Sequence, residues 1–151
     1  MRVFKTLDEY ASAVGEELGK SDWMVIDQAT IDKFADTTGD DQWIHTDPEQ
    51  CMERLNHGTI AHGYYTLSLV PVLGKQIYSI ESATRGINYG SNKLRFNTPI
   101  PVGSRIRLRS FLQDARRRAG GLMVTRLEKI EIEGQDKPAL TVETLSLYYE
   151  D

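Results

Sequence analysis

The sequence predicts an α+β protein built on one buried helix and a run of long strands. Two observations carry that prediction. A stretch in the middle of the chain, Ala61 to Leu73, places Leu67, Leu69, Val70, Val72 and Leu73 all round a helix with no polar face, and a helix apolar on every side is a buried one. Near residue 75 the patterning then changes from helical to alternating, as in an antiparallel sheet. The chain has 151 residues, 40% of them hydrophobic, with 12 glycines besides. That length suits one domain, residues 1–151, with a sizeable core.

The elements follow in order. Leu7 to Val14 reads as a short helix with Thr6 as N-cap and Glu9 three residues on. Trp23 to Ile26 forms a short strand within Asp22–Asp27. Thr30 is expected to cap a second helix with Ile31, Phe34 and Ala35 on one side. Gly39 to Pro48 reads as a loop, and Pro48 opens a helical turn through Met52. In the apolar helix, Pro71 should kink or shorten the last turn and Gly74 should stop it. Strands are expected at Ile77–Ser82, Ile87–Phe96, Ser104–Leu112, Leu122–Glu133 and Ala139–Tyr149. Ile106, Leu108 and Ser110 alternate with Arg105, Arg107 and Arg109. Arg116–Gly121 reads as a turn, with Gly120 and Gly121 at positive φ. The last two strands shift alternation phase, since Val142 and Leu145 cannot share a face, and a β-bulge in each would explain it.

Composition excludes several classes. The single cysteine, Cys51, rules out a disulfide scaffold and fits a reducing, cytoplasmic setting. No apolar run approaches the roughly 20 residues of a membrane span, and the first 20 residues do not pattern as a signal peptide. Charge is uneven: residues 1–60 hold 5 Lys/Arg against 13 Asp/Glu, while Arg85–Arg126 holds 10 basic residues and one acid, Asp114. That stretch suggests either an anionic partner or a solvated strand face. A pI near 5.4 and the lack of any binding motif argue against nucleic acid.

Three histidines exist: His45, His57 and His62. His45 lies five residues after Asp40. On a strand the two would face opposite ways, and on a helix they would sit about 140° apart; only a loop can converge them. An exposed histidine in an acidic capping loop is the plainer reading of that spacing. His57 reads as surface, His62 as a brace at the helix start, and Cys51 as a packing thiol. A metal site from Asp40, His45 and Asp47 is a weak alternative with so few nitrogen or sulfur ligands.

Three segments together resemble the MaoC-like dehydratase family, which includes (R)-specific enoyl-CoA hydratases and nodulation protein N-like proteins. They are Thr38-Gly39-Asp40-Asp41-Gln42-Trp43-Ile44-His45, then Ile60-Ala61-His62-Gly63, then Asn88-Tyr89-Gly90 through Lys93, Arg95, Phe96, Pro99 and Gly103. Gln42-Trp43 stands where the family often has Asn-Pro. The resemblance implies a hotdog fold, a long central helix wrapped by a curved antiparallel sheet, and a homodimer with its site near the interface. It implies water addition to a trans-2-enoyl thioester, or the reverse dehydration of a 3-hydroxyacyl thioester. Asp40 and His45 would hold the water and share the proton transfers, and the Gly63 N–H would meet the thioester oxygen. Gln42 would orient the water. Ser68 would line the pocket or bond back to its own helix, and Asn88, Tyr89, Gly90, Lys93 and Arg95 would contact substrate. Lys93, Arg95 and Arg105 would suit the phosphates of coenzyme A, which is part of the substrate; no cofactor, metal, nucleic acid or membrane is expected. Two alternatives of other classes remain: an acyl-CoA thioesterase of the same fold, or a non-catalytic acyl-CoA-binding subunit.

Overall fold

The computed structural model describes residues 1–150. Helix α5 (Gly63–Ser68) and helix α6 (Val70–Ile77) run nearly end to end as the central helix. Pro71 explains the break between them. It has no N–H to give the Leu67 carbonyl, and the chain relaxes at Leu69, whose N–H bonds Thr66 one residue short of the α pattern. Pro71 then sits in the first turn of α6, where a missing N–H costs nothing, and the helix continues past Gly74 to Ile77. Gly74 is therefore not a stop. A Cβ there would lie 3.9 Å from Leu108, so it marks where helix and sheet meet. The helix is also not buried all round: Tyr64 and Val72 are exposed, while Tyr65, Val70, Leu73 and Ile77 face inward.

A six-stranded antiparallel sheet packs against this helix. Its order is β2 (Glu17–Lys20), β6 (Arg105–Arg118), β7 (Gly121–Ile132), β8 (Leu140–Tyr149) and β5 (Arg85–Phe96), with β3 (Met24–Val25) also pairing with β6. Ile106, Leu108 and Leu112 of β6, Ile130 and Ile132 of β7, and Leu140 and Val142 of β8 form one core with Leu73 and Ile77. Burying each such side chain stabilises the fold by about 1.5–3 kcal/mol. A second, parallel pair joins β1 (Arg2–Phe4) to β4 (Tyr78–Ile80). The sequence reading found β4 and missed the three-residue β1.

Local chemistry fixes the remaining elements. Thr6 caps α1 (Leu7–Ser12) by accepting from the Glu9 N–H. The cap of α2 (Gln28–Thr38) is Asp27, not Thr30: Thr30 donates both its N–H and its hydroxyl to the Asp27 carboxylate. The loop before Pro48 contains a one-turn helix, α3 (Trp43–Thr46), and Pro48 opens the longer α4 (Pro48–Leu55). The β6–β7 turn is tighter than expected, with Ala119 and Gly120, not Gly121, at positive φ.

The expected bulges in β7 and β8 are absent; the two pair in unbroken register from Leu122↔Tyr148 to Ile130↔Leu140. Irregularities fall in β6, at Leu112/Asp114, and in β5, at Asn88/Gly90 and Asn92/Arg95. The phase shift has another cause: strict alternation turns Arg126, Glu128, Thr144 and Ser146 inward, so polar residues occupy inner-face positions. Among the described residues no helix is long and apolar enough to cross a membrane.

Candidate active site

Helix α2 ends at Gly39, whose left-handed φ of 78° turns the chain so that Asp40 leaves the helix axis. Gln42 then starts α3, and its carbonyl accepts from the His45 N–H at 2.9 Å. This single turn swings His45 inward. The ring is buried, with Nδ1 2.7 Å from the Ile60 carbonyl oxygen. A carbonyl only accepts, so Nδ1 carries the hydrogen and Nε2 presents a lone pair. The Ile60 N–H in turn donates to the Ile44 carbonyl at 3.0 Å, and Gln28 bonds both the His45 carbonyl and the Thr59 hydroxyl. Sequence reading missed Gln28, Thr59 and Ile60. They act largely through main-chain groups or a single amide, and carry no signature of residue type.

His62 completes the loop. Its Nε2 donates to the Asp40 carbonyl at 2.8 Å, and its ring stacks on His45 with centroids 3.9 Å apart. The side-chain ligand atoms of Asp40, His45 and His62 lie within 4.8 Å of one another. These three are the residues that could hold a divalent cation. Asp47 is not among them, because its carboxylate caps α4 through the Gln50 N–H. Burial holds the His45 pKa below its ordinary value and the nearby His62 adds to this, against the Ile60 hydrogen bond and the Asp40 charge. His45 is thus neutral near pH 7, with one nitrogen free to take a proton.

A groove of about 300 Å³ opens beside His45, lined also by Ala61, Gly63, Tyr64, Thr66 and Phe96. Gly63 is the first residue of α5, where N–H groups lack intrahelical partners. A Cβ at Gly63 would meet the Phe96 ring at 2.9 Å. The bareness of this glycine therefore serves the approach of Phe96 in the first place.

The other expected site residues fall into separate places. Gln42 is exposed and contributes its carbonyl. Ser68 bonds back to the Tyr65 carbonyl at 2.6 Å and, with Asn88, Tyr89 and Gly90, lines a different and larger cavity. Lys93 pairs with Glu143 at 3.0 Å, and Arg95 donates to the Leu94 carbonyl. Much of the basic stretch meets carboxylates across neighbouring strands: Arg105 with Glu133, Arg107 with Glu131, Arg109 with Glu17. The acids that balance these arginines lie outside the stretch in sequence and opposite it in the sheet. His57 is exposed, and Cys51 is fully buried with Sγ near the carbonyls of Trp43 and Ile44.

Residues 9–134 match the family model described as MaoC like domain. Over 149 residues the chain is 44% identical to 3-hydroxyacyl-thioester dehydratase Z of Mycobacterium tuberculosis, covering 98% of this chain and 99% of that one. It is 42% identical to nodulation protein N of Rhizobium leguminosarum bv. viciae over 145 residues, 94% of this chain and 90% of the other. Among solved structures, the unliganded R-hydratase PhaJ1 of Pseudomonas aeruginosa superposes with a TM-score of 0.74 at 18% identity, over 91% of this chain and 83% of that one.

Proposed function

This chain belongs to the MaoC-like dehydratase family, with a hotdog fold, and is a hydro-lyase of the hydratase/dehydratase type; on that premise we propose that it adds water reversibly across the double bond of a trans-2-enoyl thioester. The observation that supports this most is the convergence of Asp40 with neutral His45, which lines a groove together with Gly63.

In the hydration direction, a water held between the Asp40 carboxylate and His45 gives a proton to Nε2 as its oxygen bonds to Cβ. The double-bond electrons move toward the thioester carbonyl, and the developing oxyanion takes the Gly63 N–H. The imidazolium then returns its proton to Cα, and His45 is neutral again. Dehydration is the same path reversed. His62 holds Asp40 and backs the His45 ring.

The proposed carrier is coenzyme A, with Arg95 at a phosphate; Lys93 and Arg105 are engaged with carboxylates. We propose a homodimer through β5. This strand is the edge of the sheet, has one unpaired row of backbone groups, and exposes Ile87, Tyr89 and Phe96. Light scattering checks that arrangement.

The test of function offers a trans-2-enoyl-CoA and follows loss of the conjugated absorbance, the configuration of the product, and free thiol. Consumption without thiol, giving one 3-hydroxy enantiomer, is expected. Release of free coenzyme A would make the protein a thioesterase, and no change at all would make it a binding subunit.

A further inference from the structure

The inner face of the sheet is apolar except for a polar patch across the middle of β7 and the neighbouring parts of β8 and β5. Along β7 it presents Leu122, Val124, Arg126, Glu128, Ile130 and Ile132, and each is buried. Along β8 it presents Thr144, Ser146 and Tyr148 after Leu140 and Val142, and the β5 register sets Asn88 opposite Ser146 and Ser91 opposite Thr144. These polar positions floor a cavity of about 860 Å³, whose other wall is the central helix from Leu67 to Lys75. Its apolar lining includes Leu67, Val70, Ile80 and Leu145. A volume of this size is in the range that small-molecule sites occupy.

The ion pair in this floor is unusual in its remaining capacity. Arg126 Nε donates to Glu128 at 2.8 Å, Nη2 to Ser146 at 2.9 Å, and Nη1 to the Tyr148 hydroxyl at 3.2 Å. Glu128 is 2% exposed, yet its second oxygen, Oε2, has no partner, and neither has the hydroxyl of Thr144. A buried pair is costly unless its remaining lone pairs are satisfied. At this pair the two charges cancel, so a ligand carboxylate or ammonium set against it would be unbalanced; the cations Lys75 and Arg85 lie elsewhere in the lining. A neutral hydroxyl both donates to a carboxylate oxygen and accepts from a guanidinium.

We infer that this cavity receives the distal part of an acyl chain that carries a hydroxyl group, met by Glu128 Oε2 and Arg126. The inference rests on the proposed hydration of acyl thioesters and names a feature of their acyl group. Both places border the central helix: Tyr64 and Thr66 line the groove beside His45, and Leu67 and Ser68, next in sequence, line the cavity.

The experiment compares a trans-2-decenoyl-CoA with analogues that carry one hydroxyl at successive positions toward the chain end. One position is expected to raise kcat/KM about tenfold or more over the parent, as sites built to hydrogen-bond a substrate hydroxyl discriminate strongly. Glu128→Gln should bring that ratio close to one. Wild-type rates that are flat or falling across the series overturn the inference, whether or not the variant folds. If the parent ester is not hydrated at all, it is the proposed reaction that fails. Calorimetric titration with the saturated hydroxyacyl-CoA and acyl-CoA pairs then decides the cavity: tighter binding of one hydroxylated chain supports it, and equal affinities overturn it.

Discussion

The groove beside His45 and the cavity above Arg126 lie along the same central helix, and they are built in opposite ways. In the groove, the titratable side chains are held by main-chain groups: His45 by the Ile60 carbonyl and His62 by the Asp40 carbonyl. In the cavity, side chains hold one another: Arg126, Glu128, Ser146 and Tyr148 bond across β7 and β8. Burial keeps His45 neutral against the pull of its main-chain bond, and that bond, made by Nδ1, leaves Nε2 free, the state a proton acceptor needs. Side-chain anchoring compensates charge within the wall and leaves hydrogen-bonding capacity. The first arrangement suits chemistry, the second selection.

The largest expected effect lies in the groove. Asp40→Asn and His45→Ala should each lower turnover by about 10²–10⁴-fold with circular dichroism close to wild type, His45→Ala also losing about 1–3 kcal/mol of stability through the unpaired Ile60 carbonyl. A folded variant with near-normal turnover removes the residue from the reaction and with it the contrast between the two regions. Next comes the apolar core between the central helix and the sheet. Leu73 is fully buried, and Leu73→Ala should cost about 2–5 kcal/mol in denaturant unfolding. A loss below about 1 kcal/mol would mean that helix and sheet are less tightly joined here than their packing indicates.

The pH dependence sharpens the comparison further. A histidine held below its ordinary value of about 6.5 binds fewer protons folded than unfolded. Its contribution to stability is therefore complete above that pH and is lost as pH falls through it toward the folded value. The kcat/KM for hydration should fall on the same acid side, below about pH 6.5, because the imidazolium has no lone pair for water. His45→Ala should remove the part of the loss that begins near pH 6.5 and keep the loss at more acid pH that the lowered Glu17, Asp27, Asp47 and Glu150 carboxyls produce; an unchanged upper part would place the titration elsewhere.

Smaller effects are expected at the surface. Arg95→Glu should raise KM for the coenzyme A ester by severalfold and leave a truncated pantetheine ester nearly unaffected. Equal responses would remove Arg95 from phosphate binding. Arg105→Ala should change stability by about 0.2–1 kcal/mol, since its pair with Glu133 is solvent-exposed.

The fold was largely legible in the sequence because periodicity reports burial. The alternation of Ile106, Leu108 and Ser110 with three arginines is the burial observed on β6. It misled where polar residues are buried. The bulges expected from Val142 and Leu145 are absent from β7 and β8, whose register is unbroken, and Arg126 and Glu128 take inner-face positions instead. Asp40 and His45 were legible only through the resemblance, because a spacing of five has meaning only once Gly39 and the turn at Trp43–Thr46 have bent the chain. The pairing of much of the basic strip was hidden for a related reason: Arg107 meets Glu131 across a strand pairing, 24 residues away in sequence.

One measurement bears most directly on the claim that Asp40 and His45 hydrate a thioester that stays intact. A trans-2-enoyl-CoA is incubated with the protein in heavy-oxygen water and the products are read by mass spectrometry. The account predicts label in the new C3 hydroxyl of an unbroken thioester, with incorporation slowed about 10²-fold or more by His45→Ala. Label in a free carboxylate beside released coenzyme A, or incorporation at C3 that His45→Ala leaves unchanged, would contradict it.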